Sequence, residues 1–169
     1  MKKKTLILIC FLQLLIPTSM LAQKSTDTEK ITILLDNWHK AAGAANFNKY
    51  FEALTPDAIF IGTDATENWN KTEFEAFSKP FFDTGKAWDF KPMKRHIYLS
   101  KDKKTGWFDE LLDTWMKVCR GSGVLVKVGK EWKIKQYVLS MTIPNDVSDA
   151  VIKIKTPVEN PLIEKLKAK

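Results

Sequence analysis

The chain has 169 residues, with 27 Lys and Arg against 20 Asp and Glu and a formal net charge of +7. Its basic residues are scattered singly, which argues against nucleic acid as a partner, because that would need a charged face. Two cysteines, Cys10 and Cys119, are too few for a disulfide framework.

Lys2, Lys3 and Lys4 precede an apolar run over residues 6–16, followed by Pro17, Thr18, Ser19 and Ala22. That order is the positive, apolar and small-residue grammar of an export signal over residues 1–22. The run is too short for the roughly 20 residues of a membrane span, so no stable insertion is expected after cleavage. Ile9 stands where a lipoprotein signal would carry a small residue, which disfavours a lipid anchor on Cys10. Cleavage removes three lysines, so the net charge drops to 7 − 3 = +4, and it leaves Cys119 alone. The mature protein is expected in the periplasm or outside the cell.

Residues 23–30 read as a flexible start. Ile31, Leu34, Leu35, Trp38 and Ala42 then recur at helical spacing, giving a helix over 27–42 that Gly43 stops. Asn46 caps a second helix over 47–54, and Pro56 follows it. Residues 58–63 form a short strand. Asn70 and Glu73 make a capping pair for a third helix over 71–82, closed by Gly85.

From Trp88 onward the periodicity is that of strands, placed at 88–100, 105–115, 119–128 and 131–143, with turns at 101–104 and 129–130. In the last strand Trp132, Ile134, Gln136 and Val138 alternate with Lys133, Lys135, Tyr137 and Leu139. Residues 147–169 are a lysine-rich tail with one short helix. The order implies an α+β fold in which a strongly bent antiparallel sheet wraps around about three helices, with the domain over 31–146.

Several motifs carry a resemblance: Gly62-Thr63-Asp64-Ala65-Thr66-Glu67-Asn68-Trp69, Trp107-Phe108-Asp109-Glu110-Leu111 and Cys119-Arg120-Gly121-Ser122-Gly123-Val124-Leu125, with the strand 132–137 and Pro144-Asn145-Asp146. Taken in this order they resemble the SnoaL-like branch of the nuclear transport factor 2-like superfamily, over residues 30–148. The resemblance implies a cone with an internal pocket, and frequent homodimers. It does not fix a reaction, because the superfamily holds isomerases, cyclases, hydrolases, dehydratases and binding domains. In steroid isomerases the base is the second Asp of an Asp-Ala-x-x-x-Asp pattern. Here Asp57-Ala58 begins the pattern and Gly62 stands at the base position, with Asp64 as the nearest substitute on that face.

Three residues are the candidate catalytic set: Asp64 or Glu110 as general base and Arg120 as the group that stabilises developing negative charge. Asp64 with Glu67 makes either a pocket-rim pair or a capped turn. Glu110 shares its face with Phe108 and Leu112, Asp109 shares the other with Trp107 and Leu111, and Arg120 on the next strand is the natural partner of either, whether to orient a polar ligand group or only to satisfy two charges. Trp38, Glu67, Trp69, His96, Trp107, Ser122 and Gln136 complete a candidate ligand-binding set. His39 and His96 have no companion at metal-ligand spacing, and neither a metal nor a cofactor is expected. Six Trp and ten Phe suit a small apolar or aromatic ligand. An outward-facing Tyr137 and Leu139 would suit a self-associating sheet. Ligand binding is thus the first reading, a cofactor-free cyclase, isomerase or hydrolase the second, and a dimeric assembly module the third.

Overall fold

The computed structural model describes residues 25–168, so the expected export signal lies outside the described residues. Helix α1 spans Asp27–Gly43, and a Thr26–Glu29 capping box satisfies its first amides. Asp27 accepts hydrogen bonds from Lys127 Nζ at 2.8 Å and from Trp132 Nε1 at 3.1 Å, so the start of the helix is tied to the sheet. The helix begins at Asp27, where the helical spacing put it, and residues 27–30 of the expected flexible start belong to it. Helix α2 covers Phe47–Glu52 behind an Asn46 cap and ends two residues earlier than its apolar pattern implies. Leu54 already opens strand β1, Leu54–Ile61, in which Pro56 takes an exposed place.

Strand β2 is the short Asn68–Asn70, and helix α3, Lys71–Asp83, follows with the expected Asn70–Glu73 box. Strands β3, Lys91–Leu99, β4, Thr105–Thr114, β5, Lys117–Val128, and β6, Glu131–Met141, complete one six-stranded sheet in the order β2-β1-β6-β5-β4-β3. It is strongly curved and unclosed. Its neighbours are antiparallel except for β1 and β6, which run parallel, a pairing that a meander of hairpins does not announce.

Helices α1, α2 and α3 fill the concave side, where Ile31, Leu35, Tyr50, Phe74, Leu112 and Ile134 are sealed from solvent. The other face of the sheet is open. A bulge decides which residues of β6 look inward. Leu125 pairs with Ile134 but Val124 pairs with Gln136, so Lys135 is an extra residue and the parity changes there. Trp132 and Ile134 are buried on one side of the bulge, Tyr137 and Leu139 on the other. The expected outward face of Tyr137 and Leu139 is thereby overturned: both belong to the core, and Gln136 and Val138 look out.

Residues 145–167, read as a tail with one short helix, instead form a 3-10 turn and a 20-residue helix α4, Ser148–Lys167. Its apolar residues recur at helical spacing, and Pro157 and Pro161 lie inside the helix. None of its residues is buried, and its substantial packing is with the preceding turn. No described helix is long and apolar enough to cross a membrane.

Candidate functional site

Two groups of side chains stand out inside the cone, one polar and one aromatic. The polar group centres on Glu110, whose side chain has no exposed surface. The β3–β4 hairpin sets Arg95 directly opposite it, and β5 sets Gly121 on its other side. Arg95 Nε donates to Glu110 Oε2 at 2.8 Å, with Nη2 equally close to that oxygen. His39 on α1 reaches the other oxygen, with Nε2 at 2.7 Å from Oε1. The Tyr137 hydroxyl donates a longer bond of 3.4 Å to that same Oε1. A side chain at Gly121 would overlap the Tyr137 hydroxyl, so the glycine makes room for this contact. Arg95 is anchored in turn by Asp36 at 2.7 Å.

Burial opposes the charge on Glu110, but the bond to His39 and the Arg95 guanidinium outweigh it and hold the carboxyl below its ordinary range. Burial, with Glu110 alongside, pushes the Tyr137 phenol well above its ordinary range and keeps it neutral. Glu110 is therefore an ionised and saturated acceptor, which makes it an orienting group and a poor proton acceptor for a ligand.

The second group lines a cavity of about 180 Å³. Phe60, Trp69, Phe74 and Phe77 stack in sequence, with ring centroids 3.8 Å apart for Phe60 and Phe74 and 4.5 Å for Trp69 and Phe77. Trp88, Phe90, Trp115 and Leu139 close the remaining walls. One carboxylate, Glu67, joins this lining beside Gly62 and Thr63. A side chain at position 62 would collide with the Glu67 carboxylate, so Gly62 lets Glu67 fold back over the strand end. The Asp64 amide donates to Glu67 Oε2 at 3.1 Å and steadies it there.

Asp64 itself is exposed. Its Oδ1 accepts from the Thr66 hydroxyl at 2.6 Å and the Thr66 amide at 2.9 Å, bonds that hold its carboxyl below the ordinary range. It is the capped turn of the two alternatives, and its side chain is committed to that turn. Glu67 occupies the space that the missing side chain of residue 62 leaves.

Of the other residues singled out from the sequence, Trp69 lines the cavity and Trp38 is buried behind it, stacked on Tyr50 at 4.9 Å. Arg120 corrects the expected ion pair. It pairs across the sheet with Leu111 and Ser140, lies exposed on the outer face, and cannot meet Glu110, which points inward. The reason is the turn: the β4–β5 hairpin pivots at Trp115-Met116, and this register sets Glu110 against Gly121. Trp107, His96, Ser122 and Gln136 share the outer face with Arg120, and His96 Nδ1 pairs with Asp109 at 3.1 Å.

Sequence reasoning passed over Arg95 and His39. His39 is one helical turn from Leu35 and two from Ile31, so the buried stripe of α1 already pointed to it. Among the described residues, no group of three or more His, Cys, Asp or Glu side chains is arranged to hold a metal ion.

A curved sheet folded over three helices, with an aromatic cavity inside, defines the class as nuclear transport factor 2-like. The profile of the SnoaL-like domain matches residues 31–144, and the chain belongs to that family. Among curated protein sequences nothing matches at a significant level.

Among solved structures, a nuclear transport factor 2-like protein from Pseudomonas putida KT2440 is 10% identical. The match covers 73% of this chain and 94% of that one, with a TM-score of 0.59. A protein from Streptomyces avermitilis, provisionally described as a dehydratase, is 11% identical with a TM-score of 0.61, covering 70% of this chain and 97% of that one. A protein with a cystatin-like fold from Nostoc punctiforme is 10% identical with a TM-score of 0.56, covering 70% of this chain and 93% of that one. At these identities the likeness is one of fold.

The buried network gives a test of its own. Because the native carboxyl of Glu110 lies below its unfolded value, its stabilising contribution is complete above about pH 4.3 and is lost as pH falls through the native value. Glu110→Gln removes the buried charge that Arg95 meets, leaves Arg95 only its exposed partner Asp36, and is expected to cost about 3 kcal/mol at neutral pH. Urea unfolding between about pH 7 and pH 2 should show that loss and a flatter acid limb than wild type. Equal stability of the two proteins at neutral pH would dismiss the network as a stabilising element.

Proposed function

We propose that the domain binds a small, flat, apolar molecule in the aromatic cavity, with Glu67 accepting a hydrogen bond from that molecule at the rim. The observation behind this reading is a cavity of about 180 Å³ whose walls are aromatic and which admits one carboxylate. A dry cavity of about 150 Å³ holds a benzene ring, so the volume suits one ring with a small substituent. Ring faces supply most of the affinity, and a single acceptor fixes orientation. Binding is preferred to turnover because Glu67 is the one titratable side chain in the lining.

A second reading concerns the outer face of the sheet, which we propose pairs with a second copy. Tyr98 and Trp107 stack there at 5.8 Å, each nearly half exposed. Val124, Gln136 and Ile59 extend the same row across the sheet. An apolar stripe of this kind at the centre of a sheet, rimmed by charged residues, fits a two-fold contact. We also propose that residues 1–22 direct export and are removed.

Indole and toluene are suitable probes, because Trp69, Trp88 and Trp115 would report binding of either by fluorescence or native mass spectrometry. The wild type should bind at least one, and Trp69→Ala should weaken it about tenfold or more, a loss of about 1.4 kcal/mol. No bound species with either probe would defeat the binding reading. For the sheet face, light scattering should give a dimer for wild type and a monomer for Trp107→Lys, and a monomeric wild type at high concentration would refute the pairing. For export, the intact mass of the protein from an extracytoplasmic fraction should correspond to a chain that begins near Gln23. Recovery of the full-length chain from the cytoplasm alone would contradict it.

A further inference from the structure

The aromatic cavity opens to solvent beside apolar as well as polar side chains. Three of its lining residues are exposed and mark the mouth: Thr63, which neighbours the Glu67 carboxylate in the lining, and the aromatic Phe77 and Trp115. Phe77 is 42% exposed and Trp115 is 81% exposed. From Phe77 the aromatic surface continues along α3. Phe81 follows one helical turn later, with its ring centroid 5.5 Å from that of Phe77, and is 44% exposed. Ring contacts from Trp69 to Phe77 at 4.5 Å and from Phe77 to Phe81 thus form one apolar track from the cavity wall to the surface.

The core does not need these two rings. The buried stripe of α3 is already formed by Phe74, Ser78 and Phe82. A single exposed apolar residue is ordinary, but rings that touch one another and run into a cavity make a contiguous patch of the kind that receives a ligand. The charges of the same helix are engaged: Lys71 pairs with Glu75, Lys79 with Asp83, and Glu73 closes the cap with Asn70. A charged extension of a ligand would find no unmet partner on α3, whereas a hydrocarbon one would take its own surface and that of the rings out of water. The cavity of about 180 Å³ is filled by one ring with a small substituent, so a longer chain must leave through the mouth.

We propose that the ligand class is the alkylated phenols, with the ring in the cavity, its hydroxyl donating to Glu67, and its alkyl chain lying outside the mouth over Phe77 and Phe81. This rests on the reading that a ring occupies the cavity, and it adds to that site a second, apolar subsite open on one side.

The probes are 4-methylphenol, 4-ethylphenol and 4-butylphenol, titrated into the protein. A chain laid on one apolar wall is about half buried, so affinity should rise about twofold per methylene, or about eightfold from the methyl to the butyl compound. In Phe81→Ala the ratio of those two affinities should fall to about twofold. A readout that needs no variant is the nuclear Overhauser contact between the terminal methyl of bound 4-butylphenol and the Phe81 ring protons in the wild type. Equal wild-type affinity for the methyl and butyl compounds, or absence of that contact, overturns the proposal and leaves ring binding standing. Failure of all three phenols, and of indole and toluene, would defeat ring binding itself and the subsite with it. A Phe81→Ala protein that keeps the wild-type ratio but loses self-association would assign these rings to a second copy of the chain and equally overturn the subsite.

Discussion

A carboxylate buried at Glu110 imposes conditions that much of the domain is arranged to meet. An ion removed from water is tolerated only with matched charge and hydrogen bonds, and those partners must come from more than one element. Arg95 arrives from the neighbouring strand, His39 from helix α1 and Tyr137 from β6. The network therefore fixes the position of α1 against the sheet as an apolar contact alone would not, because dispersion tolerates sliding and a hydrogen bond does not. Asp27 repeats the device at the other end of the same helix, with Lys127 and Trp132 holding its carboxylate. Two polar anchors about three helical turns apart set both the axial position and the rotation of α1.

That placement separates the interior into two chemistries. Around Glu110 the groups are ionic and hydrogen-bonded to it, while around Phe74 they are aromatic and enclose empty space. Trp38 and Tyr137 lie between them, packed edge to face at 4.7 Å. Two strand glycines and one just past the end of β1 make the division possible. Gly121 admits the Tyr137 hydroxyl, Gly123 admits the Phe108 ring, and Gly62 admits the Glu67 carboxylate. In each case a missing side chain is the space into which a functional or packing group from another element fits. The Gly121-Ser122-Gly123 segment, which from composition suggests close approach by some other body, is thus explained mainly by the inward pair of its residues.

The fold was legible in the sequence because its signals are local. Caps at Asn46 and Asn70, the helical spacing from Ile31 to Ala42 and the turns at 101–104 and 129–130 each act within a few residues. The site was less legible because it depends on register. Even so, part of the register was available. A hairpin centred on residues 101–104 pairs positions whose numbers sum to 205, and Arg95 with Glu110 is such a pair. The β4–β5 hairpin pivots at Trp115-Met116, one or two residues from where a strand starting at Cys119 would put it, and the single step of parity decides whether Arg120 or Gly121 stands opposite Glu110.

The bulge at Lys135 belongs to another order of difficulty. Strict alternation from Trp132 to Leu139 is a self-consistent strand, and nothing in it marks the extra residue. The reason for the bulge is non-local. Beside β6 runs β1, whose register against it also shifts, between Leu54 and Ile59. Without the bulge, Tyr137 and Leu139 would face water, and Glu110 would lose a donor. With it, Tyr137 enters the core and closes the polar network, while Leu139 closes the aromatic cavity. One inserted residue thus serves both interior sites, and it becomes visible only when the parallel partner strand, the buried carboxylate and the cavity wall are considered together.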